Sequence, residues 1–166
     1  MKRIVVIADT HLGPAEVGLP PDLIKALKTA DIIVHAGDFT CGDMLKYVQS
    51  MGDFRGVCGN MDSKSIRAAL AERLAFEVGG VKIGVIHGEQ GPVGFIDRVS
   101  NAMKDLGCQL VVCGHTHNAF IEKREETIYF NPGSPTDKRF AKKHTYGIVE
   151  IAEDGRINPK IIEVNF

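Results

Sequence analysis

The sequence predicts an α/β fold whose first half is a parallel sheet. Three units, each an apolar run, a loop and an amphipathic stretch, follow one another between Arg3 and Leu74. Such units in series imply parallel strands joined by right-handed crossovers. Each apolar run also stops at a glycine or carboxylate that releases the chain into a loop, the pattern of buried strands. A Gly79-Gly80 pair between two further apolar runs then marks a hairpin and a change of character in the second half.

The first strand is Arg3 to Ala8, a β-branched run bounded by Asp9-Thr10-His11. Gly13, Pro14, Gly18, Pro20 and Pro21 keep the next stretch irregular. A helix begins near Pro21, where proline suits the first turn and Asp22 suits the positive end, and Leu23, Ile24 and Leu27 give its apolar face. The second strand, Asp31 to Ala36, ends in Gly37-Asp38; Met44, Leu45 and Val48 mark a short helix that stops near Gly52. The third strand, Phe54 to Cys58, ends in Gly59-Asn60. Asp62 or Ser63 is placed to cap a helix whose buried face is Ile66, Leu70 and Leu74. Ala75 to Val78 and Val81 to Ile86 form the hairpin, which ends in His87-Gly88. A helix through Phe95, Val99, Met103 and Leu106 closes at Gly107. The run Val111-Val112-Cys113 leads into Gly114-His115-Thr116-His117. Ala119 to Lys123, Thr127 to Phe130, Thr145 to Ile151 and Arg156 to Val164 read as antiparallel strands, with a rigid Asn131-Pro132-Gly133-Ser134-Pro135 loop among them.

Length and composition fit one domain over residues 1–166, with 44% hydrophobic and 25% charged residues. The net charge of -1 and the absence of a long basic run give no support to coating of nucleic acid, sequence-specific binding of it, or a membrane-surface role. Only five apolar residues separate Arg3 from Asp9, too few for a signal segment or a membrane span, so a cytoplasmic location is expected. Cys41, Cys58, Cys108 and Cys113 form no CxxC pair and are expected to be reduced and mostly structural.

Five strand ends carry polar residues: Asp9 with His11, Asp38, Asn60, His87, and His115 with His117. Any one of them reads equally as a loop cap or Asx turn. Parallel strands, however, put their carboxyl ends along one edge of a sheet, so all seven side chains converge. Two carboxylates, one amide and four imidazoles suit Mn²⁺, Fe²⁺, Co²⁺, Ni²⁺ or Zn²⁺ better than Ca²⁺ or a thiolate zinc site. Using all seven takes two ions with one carboxylate bridging, which leaves room for solvent and is the requirement of a catalytic site. Two dications, two carboxylates and one hydroxide leave about one positive charge to meet an anionic diester.

The blocks Asp9-Thr10-His11, Gly37-Asp38, Gly59-Asn60, His87-Gly88 and Gly114-His115-Thr116-His117, in this order, resemble the calcineurin-like metallophosphoesterase superfamily. Asn131-Pro132-Gly133-Ser134 and the short length narrow the resemblance to small YfcE-type prokaryotic phosphodiesterases. It implies a four-layer α/β/β/α sandwich, two mixed sheets flanked by helices, with a dinuclear site. It also implies Asp9, His11, Asp38 and His117 on one metal, and Asp38, Asn60, His87 and His115 on the other, with Asp38 as the bridge. Mn²⁺ is the first expectation, and Asp38, Asn60 and His115 are expected to be catalytic. His35 is expected to pack or hydrogen-bond behind the Gly37 turn, and His144 to lie on the surface of a Lys-rich segment.

Many members of that superfamily carry a histidine after the Gly-Asn pair, where this chain has Met61. A thioether donates no proton, so a general-acid contribution of roughly 10²- to 10⁴-fold is missing. Asp62, without that partner, is left as a helix cap. The expected activity is therefore hydrolysis of a small phosphodiester, with a nucleotide among the candidates, by a hydroxide that the two ions activate. The alternatives are a non-catalytic scaffold resembling the retromer subunit of the same fold, and a phosphomonoesterase. Pro135 to Lys143 reads as a solvated loop, with reach toward an anionic substrate as the alternative. Edge strands in the C-terminal half and Phe39, Phe120 and Phe140 at expected site rims are compatible with a homo-oligomer.

Overall fold

The computed structural model describes residues 1–12, 18–137 and 139–165. Of the irregular stretch expected after His11, residues 13–17 lie outside the described residues. Two five-stranded sheets pack face to face. The first has the order β10-β9-β1-β2-β3 and is built from β1 (Lys2–Ile7), β2 (Ile32–His35), β3 (Phe54–Gly56), β9 (Thr145–Ile151) and β10 (Ile157–Glu163). The second has the order β4-β5-β6-β8-β7, from β4 (Arg73–Val78), β5 (Val81–Ile86), β6 (Leu110–Val112), β7 (Phe120–Arg124) and β8 (Thr127–Asn131). Both are mixed: β1, β2 and β3 run parallel, as do β5, β6 and β8.

Alternation along β1 shows why four layers form. Ile4 and Val6 join Val34, Ile83, Val85, Leu110, Val112 and Phe130 in the core between the sheets. Val5 and Ile7 face the other way, into a core shared with Leu23 and Leu27 of α1 (Pro21–Lys28), Leu45 and Val48 of α2 (Gly42–Gln49) and Ile66 of α3 (Lys64–Ala69). The outer face of the second sheet is covered by α4 (Phe95–Met103), through Phe95, Val99 and Met103 on Val111, Cys113 and Tyr129. Strands buried on both faces read as unbroken apolar runs, as these do. Among the described residues no helix is long and apolar enough to cross a membrane.

Two expectations need correction. Leu74 does not extend the buried face of α3; the helix stops at Ala69, Leu70 is already extended (ψ 145°), and Leu74 sits in β4 opposite Val85. Four-residue spacing could not separate a helix end from a strand start when a three-residue link joins them. The later strands are also not all antiparallel. After β6 the chain crosses to the sheet edge as β7, and β8 returns between β6 and β7, parallel to the first and antiparallel to the second. The four cysteines are free, with Cys58, Cys108 and Cys113 buried and Cys41 half-buried.

The hairpin turns differ in quality. Gly79 and Gly80 both have positive φ (57° and 78°), which glycine adopts freely. The β7–β8 turn puts Glu125 at φ 53°, a conformation that costs a side chain about 1–2 kcal/mol. Glu125→Gly is therefore expected to raise the melting temperature by about 2–4 °C, measured by calorimetry, a shift of the size that ~1 kcal/mol gives a domain of this length.

Candidate metal centre

All seven residues singled out from the sequence lie at the carboxyl ends of parallel strands. Asp9 and His11 follow β1, Asp38 follows β2 and Asn60 follows β3, in the first sheet; His87 follows β5, and His115 and His117 follow β6, in the second. The structure brings them together. Asp38 Oδ2 lies 3.4 Å from His11 Nε2 and 3.3 Å from His87 Nε2. Asp9 Oδ1 lies 3.5 Å from His117 Nε2 and 3.8 Å from the Nε2 atoms of His11 and His87. Asn60 Oδ1 stands 3.0 Å from His87 Nε2 and 3.2 Å from His115 Nδ1. Asp9, Asp38 and His87 are buried at the floor, whereas Asn60 is exposed and His115 half-buried toward the mouth.

The chemistry of these atoms follows from what lies behind each ring. A carbonyl oxygen only accepts, so the nitrogen facing one carries the proton. His87 Nδ1 thus donates to the Ala36 carbonyl (2.7 Å), and His115 Nε2 to that of Gln90 (2.8 Å). His117 Nδ1 donates to the Asp137 carboxylate (2.6 Å). In the neutral forms of these three rings the opposite nitrogens are bare lone pairs, aimed at Asn60 Oδ1 and at Asp9 and Asp38; His117 Nε2 also stands 3.2 Å from His11 Nε2. Asp9 Oδ2 accepts from the His115 amide at 2.9 Å, but Oδ1, fully buried, has no hydrogen-bond partner among the described residues. Facing acceptors with no donor are satisfied by a cation or by protons on the rings. Among the described residues, two three-residue groups have ligand atoms close enough to share an ion: Asp9, His11 and His117, and Asp9, Asp38 and His87.

Electrostatics agree with that geometry. Burial alone would lower the His11 and His87 rings. The Asp9 and Asp38 carboxylates outweigh it and hold both above the ordinary imidazole value. Burial would raise Asp38, but His87, the Met61 amide (2.8 Å) and His11 bring its carboxyl below the usual range. His35, by contrast, is driven well down by complete burial and by its neighbours His87 and His11. It is neutral and structural, as expected: Nδ1 accepts from Gly37 N–H (3.1 Å), Nε2–H donates to Thr10 Oγ1 (3.1 Å), and the ring stacks on Phe39.

Several supporting residues escaped the sequence reading. Asp62 does not cap α3. Its oxygens accept from the amides of Asp38 (3.0 Å), Gly59 (2.7 Å) and Thr40 (2.9 Å), and so fix the loop that presents Asp38. Asp137 lies within the segment read as a solvated loop, yet it is buried. It orients His117 while accepting from the amides of Arg139, Phe140 and Ala141, and these donors hold it far below the usual carboxylate range. His144 is half-buried rather than a surface residue, with Nε2 donating to the Asp137 carbonyl at 2.8 Å. Phe39 is buried under His35 and is not at the rim, whereas Phe140 is exposed and stands edge-on to His117. The 131–136 loop clamps the strand ends: Asn131 Nδ2 donates to the Gly114 carbonyl (2.7 Å), Ser134 Oγ to that of Asp9 (2.7 Å), and Thr136 Oγ1 to that of Thr10. At Gly59 a Cβ would stand 2.1 Å from Asp38 Oδ1, so only glycine lets these two loops approach.

Residues 1–154 match the model of the calcineurin-like phosphoesterase superfamily domain. A probable metallophosphoesterase of Methanothermobacter thermautotrophicus is 35% identical over 136 residues, 82% of this chain and 78% of that protein. Among solved structures, Entamoeba histolytica Vps29 complexed with Zn²⁺ superposes with a TM-score of 0.76 at 20% identity, covering 98% of this chain and 99% of that one. A structure described as a novel archaeal phosphodiesterase superposes at 0.70 with 20% identity, covering 96% and 99%. With the four-layer sandwich and the convergence of strand ends, the match over nearly the whole length places the chain in the calcineurin-like phosphoesterase superfamily.

Proposed function

We propose that this protein is a metal-dependent phosphodiesterase with two divalent transition-metal ions, Mn²⁺ first among them. The observation that carries the reading is the set of facing acceptors, above all Asp9 Oδ1, buried with no hydrogen bond and ringed by three imidazole nitrogens. Asp9, His11, Asp38 and His117 would hold one ion; Asp38, Asn60, His87 and His115 would hold the other. When bound, such ions polarise phosphoryl oxygens and acidify water. Asp38, with Oδ2 between the rings of His11 and His87, fits the shared position. Asn60 and His115, at the mouth, stand where the phosphoryl group arrives. The Ala36, Gln90 and Asp137 oxygens behind three of the rings fix which nitrogen faces the site.

Met61 is exposed beside Asn60 and offers no proton to a leaving oxygen, and both oxygens of Asp62 are occupied by backbone amides. Diesters with a leaving group that departs unaided therefore suit this site better than monoesters. A scaffold role is the second reading, favoured by Met61, Val93 and Phe140 at 60%, 90% and 70% exposure and by the similarity to Vps29. It predicts no metal-dependent turnover, whether or not an ion is bound.

Chelator-stripped protein is expected to hydrolyse bis(p-nitrophenyl) phosphate only after Mn²⁺ is restored, and faster than p-nitrophenyl phosphate. Asp38→Asn should lower that turnover about 100-fold or more. Absence of diesterase activity in metal-replete protein would sink the reading and bring the scaffold forward.

Asp137→Asn, which keeps the shape of the side chain, is expected to weaken metal affinity about 10- to 100-fold in a competition titration with a fluorescent chelator. Unchanged affinity would show that the His117 contact does not support metal binding.

The titrating groups set a pH dependence. His11 and His87 have raised folded-state values, so their contribution in the metal-free protein is complete below about pH 6.5 and is lost as pH rises through those values. Asp38 has a lowered value, so its contribution is present above its ordinary 3.8 and is lost as pH falls further. The melting temperature of stripped protein is expected to fall between pH 6 and 8.5, while the increment from Mn²⁺ grows, because ions then meet unprotonated rings. An increment that does not change with pH would contradict this.

A further inference from the structure

A cleft of about 400 Å³ adjoins the metal centre, between the Cys58–Arg73 segment that carries α3 and the Ile86–Ala102 segment that opens α4. Asn60 and His87 both line it, so cleft and metal centre share a wall. Its size falls within the range of roughly 300–1,000 Å³ that small-molecule sites occupy.

The lining is mixed in a way that selects its occupant. Ile86, Val99 and Ala102 supply apolar surface, while Arg67, Arg73 and Arg98 alternate with Glu72 and Glu89. Arg67 is tied to the carbonyls of Asn60 (2.9 Å) and Asp62 (3.3 Å), and Arg98 to those of Val93 (2.8 Å), Glu89 (3.3 Å) and Gly91. Carbonyls fix a guanidinium in place without cancelling its charge. Arg73 is paired with Asp105 at 2.7 Å, and the two glutamates offset the other two arginines. A further phosphate or anionic headgroup thus gains no net attraction here. A bare alkyl group would desolvate charges and return nothing to them. A neutral group with an apolar face and hydroxyl or amino substituents meets every part of the wall.

We infer that this cleft binds the organic substituent of the substrate's phosphate ester, a neutral polar group of nucleoside size, and so sets specificity. The inference rests on the phosphodiesterase reading for its place in catalysis. A phosphate at the shared wall, against Asn60 and His87, directs its substituent between α3 and α4.

Calorimetric titration of Mn²⁺-loaded protein with thymidine 5′-monophosphate and with methyl phosphate tests it, since both monoesters present the same phosphate and differ only in substituent. The nucleotide is expected to bind about tenfold or more tightly. Ala102→Trp, at an exposed helix position that lines the cleft, should bring the ratio of affinities to about one. A ratio is insensitive to partial loss of metal or of folded protein, which would weaken both ligands alike. Equal affinities, no binding of either ligand, or a preference that survives Ala102→Trp would overturn the cleft assignment. Hydrolysis of bis(p-nitrophenyl) phosphate by the same preparation separates the two claims. Turnover with equal affinities defeats the cleft alone, and a clear preference without turnover defeats the diesterase reading while leaving the cleft as a nucleoside site.

Discussion

A carboxylate oxygen, Asp9 Oδ1, sits fully buried with no hydrogen bond from any described residue, and much of the surrounding structure is arranged about that fact. An unsatisfied buried polar atom costs about 1–3 kcal/mol, and more when charged. Left alone, a chain would relieve the cost by turning the side chain or admitting a donor. Neither happens, because Oδ2 is pinned by the His115 amide and the Asp9 carbonyl is held by Ser134. At the same centre His87, His115 and His117 are turned so that their protons face outward, to Ala36, Gln90 and Asp137. The sandwich presents a concentrated set of electron pairs at one edge, and the core between the sheets supplies the stability that this arrangement consumes.

Backbone geometry tells the same story. Non-glycine residues with left-handed φ include Asp9, His11, Asp38, Thr40, Gln90, His115 and His117, so five of the seven convergent residues adopt a conformation that L side chains disfavour. Asp and His tolerate it better than most, and tight turns at strand ends swing their side chains back over the sheet edge. Such strain persists where neighbours over-determine it. Here Asp62 ties three amides of the second and third strand-end loops, and the 131–136 loop ties the first and the last.

What could be read from the sequence divides along physical lines. Strand ends such as Gly37-Asp38 and Gly114-His115 were legible because an apolar run stopping at a polar residue is a local signal, and parallel topology then determines convergence. The hairpin at Gly79-Gly80 was legible for the same reason. Asp137 was not, because its neighbours Lys138, Arg139, Lys142 and Lys143 give the segment a solvated composition, and its partner His117 is brought near only by the folded loop. Asp62 reads locally as a helix cap, whereas its role in the fold depends on amides more than twenty residues away at Asp38 and Thr40. Leu74 was misassigned because a helix face and a strand edge share a spacing over so short a link.

The convergent residues are divided between the sheets: Asp9, His11, Asp38 and Asn60 belong to the first, and His87, His115 and His117 to the second. During synthesis the ribosome releases the first group long before the second, and the Asp137 oxygen that sets the His117 ring comes later still. The first sheet itself waits for β9 and β10, which close it from the far end of the chain. No half-made chain therefore owns the complete set. The full set of donors is thus a property of the finished sandwich and of neither sheet alone.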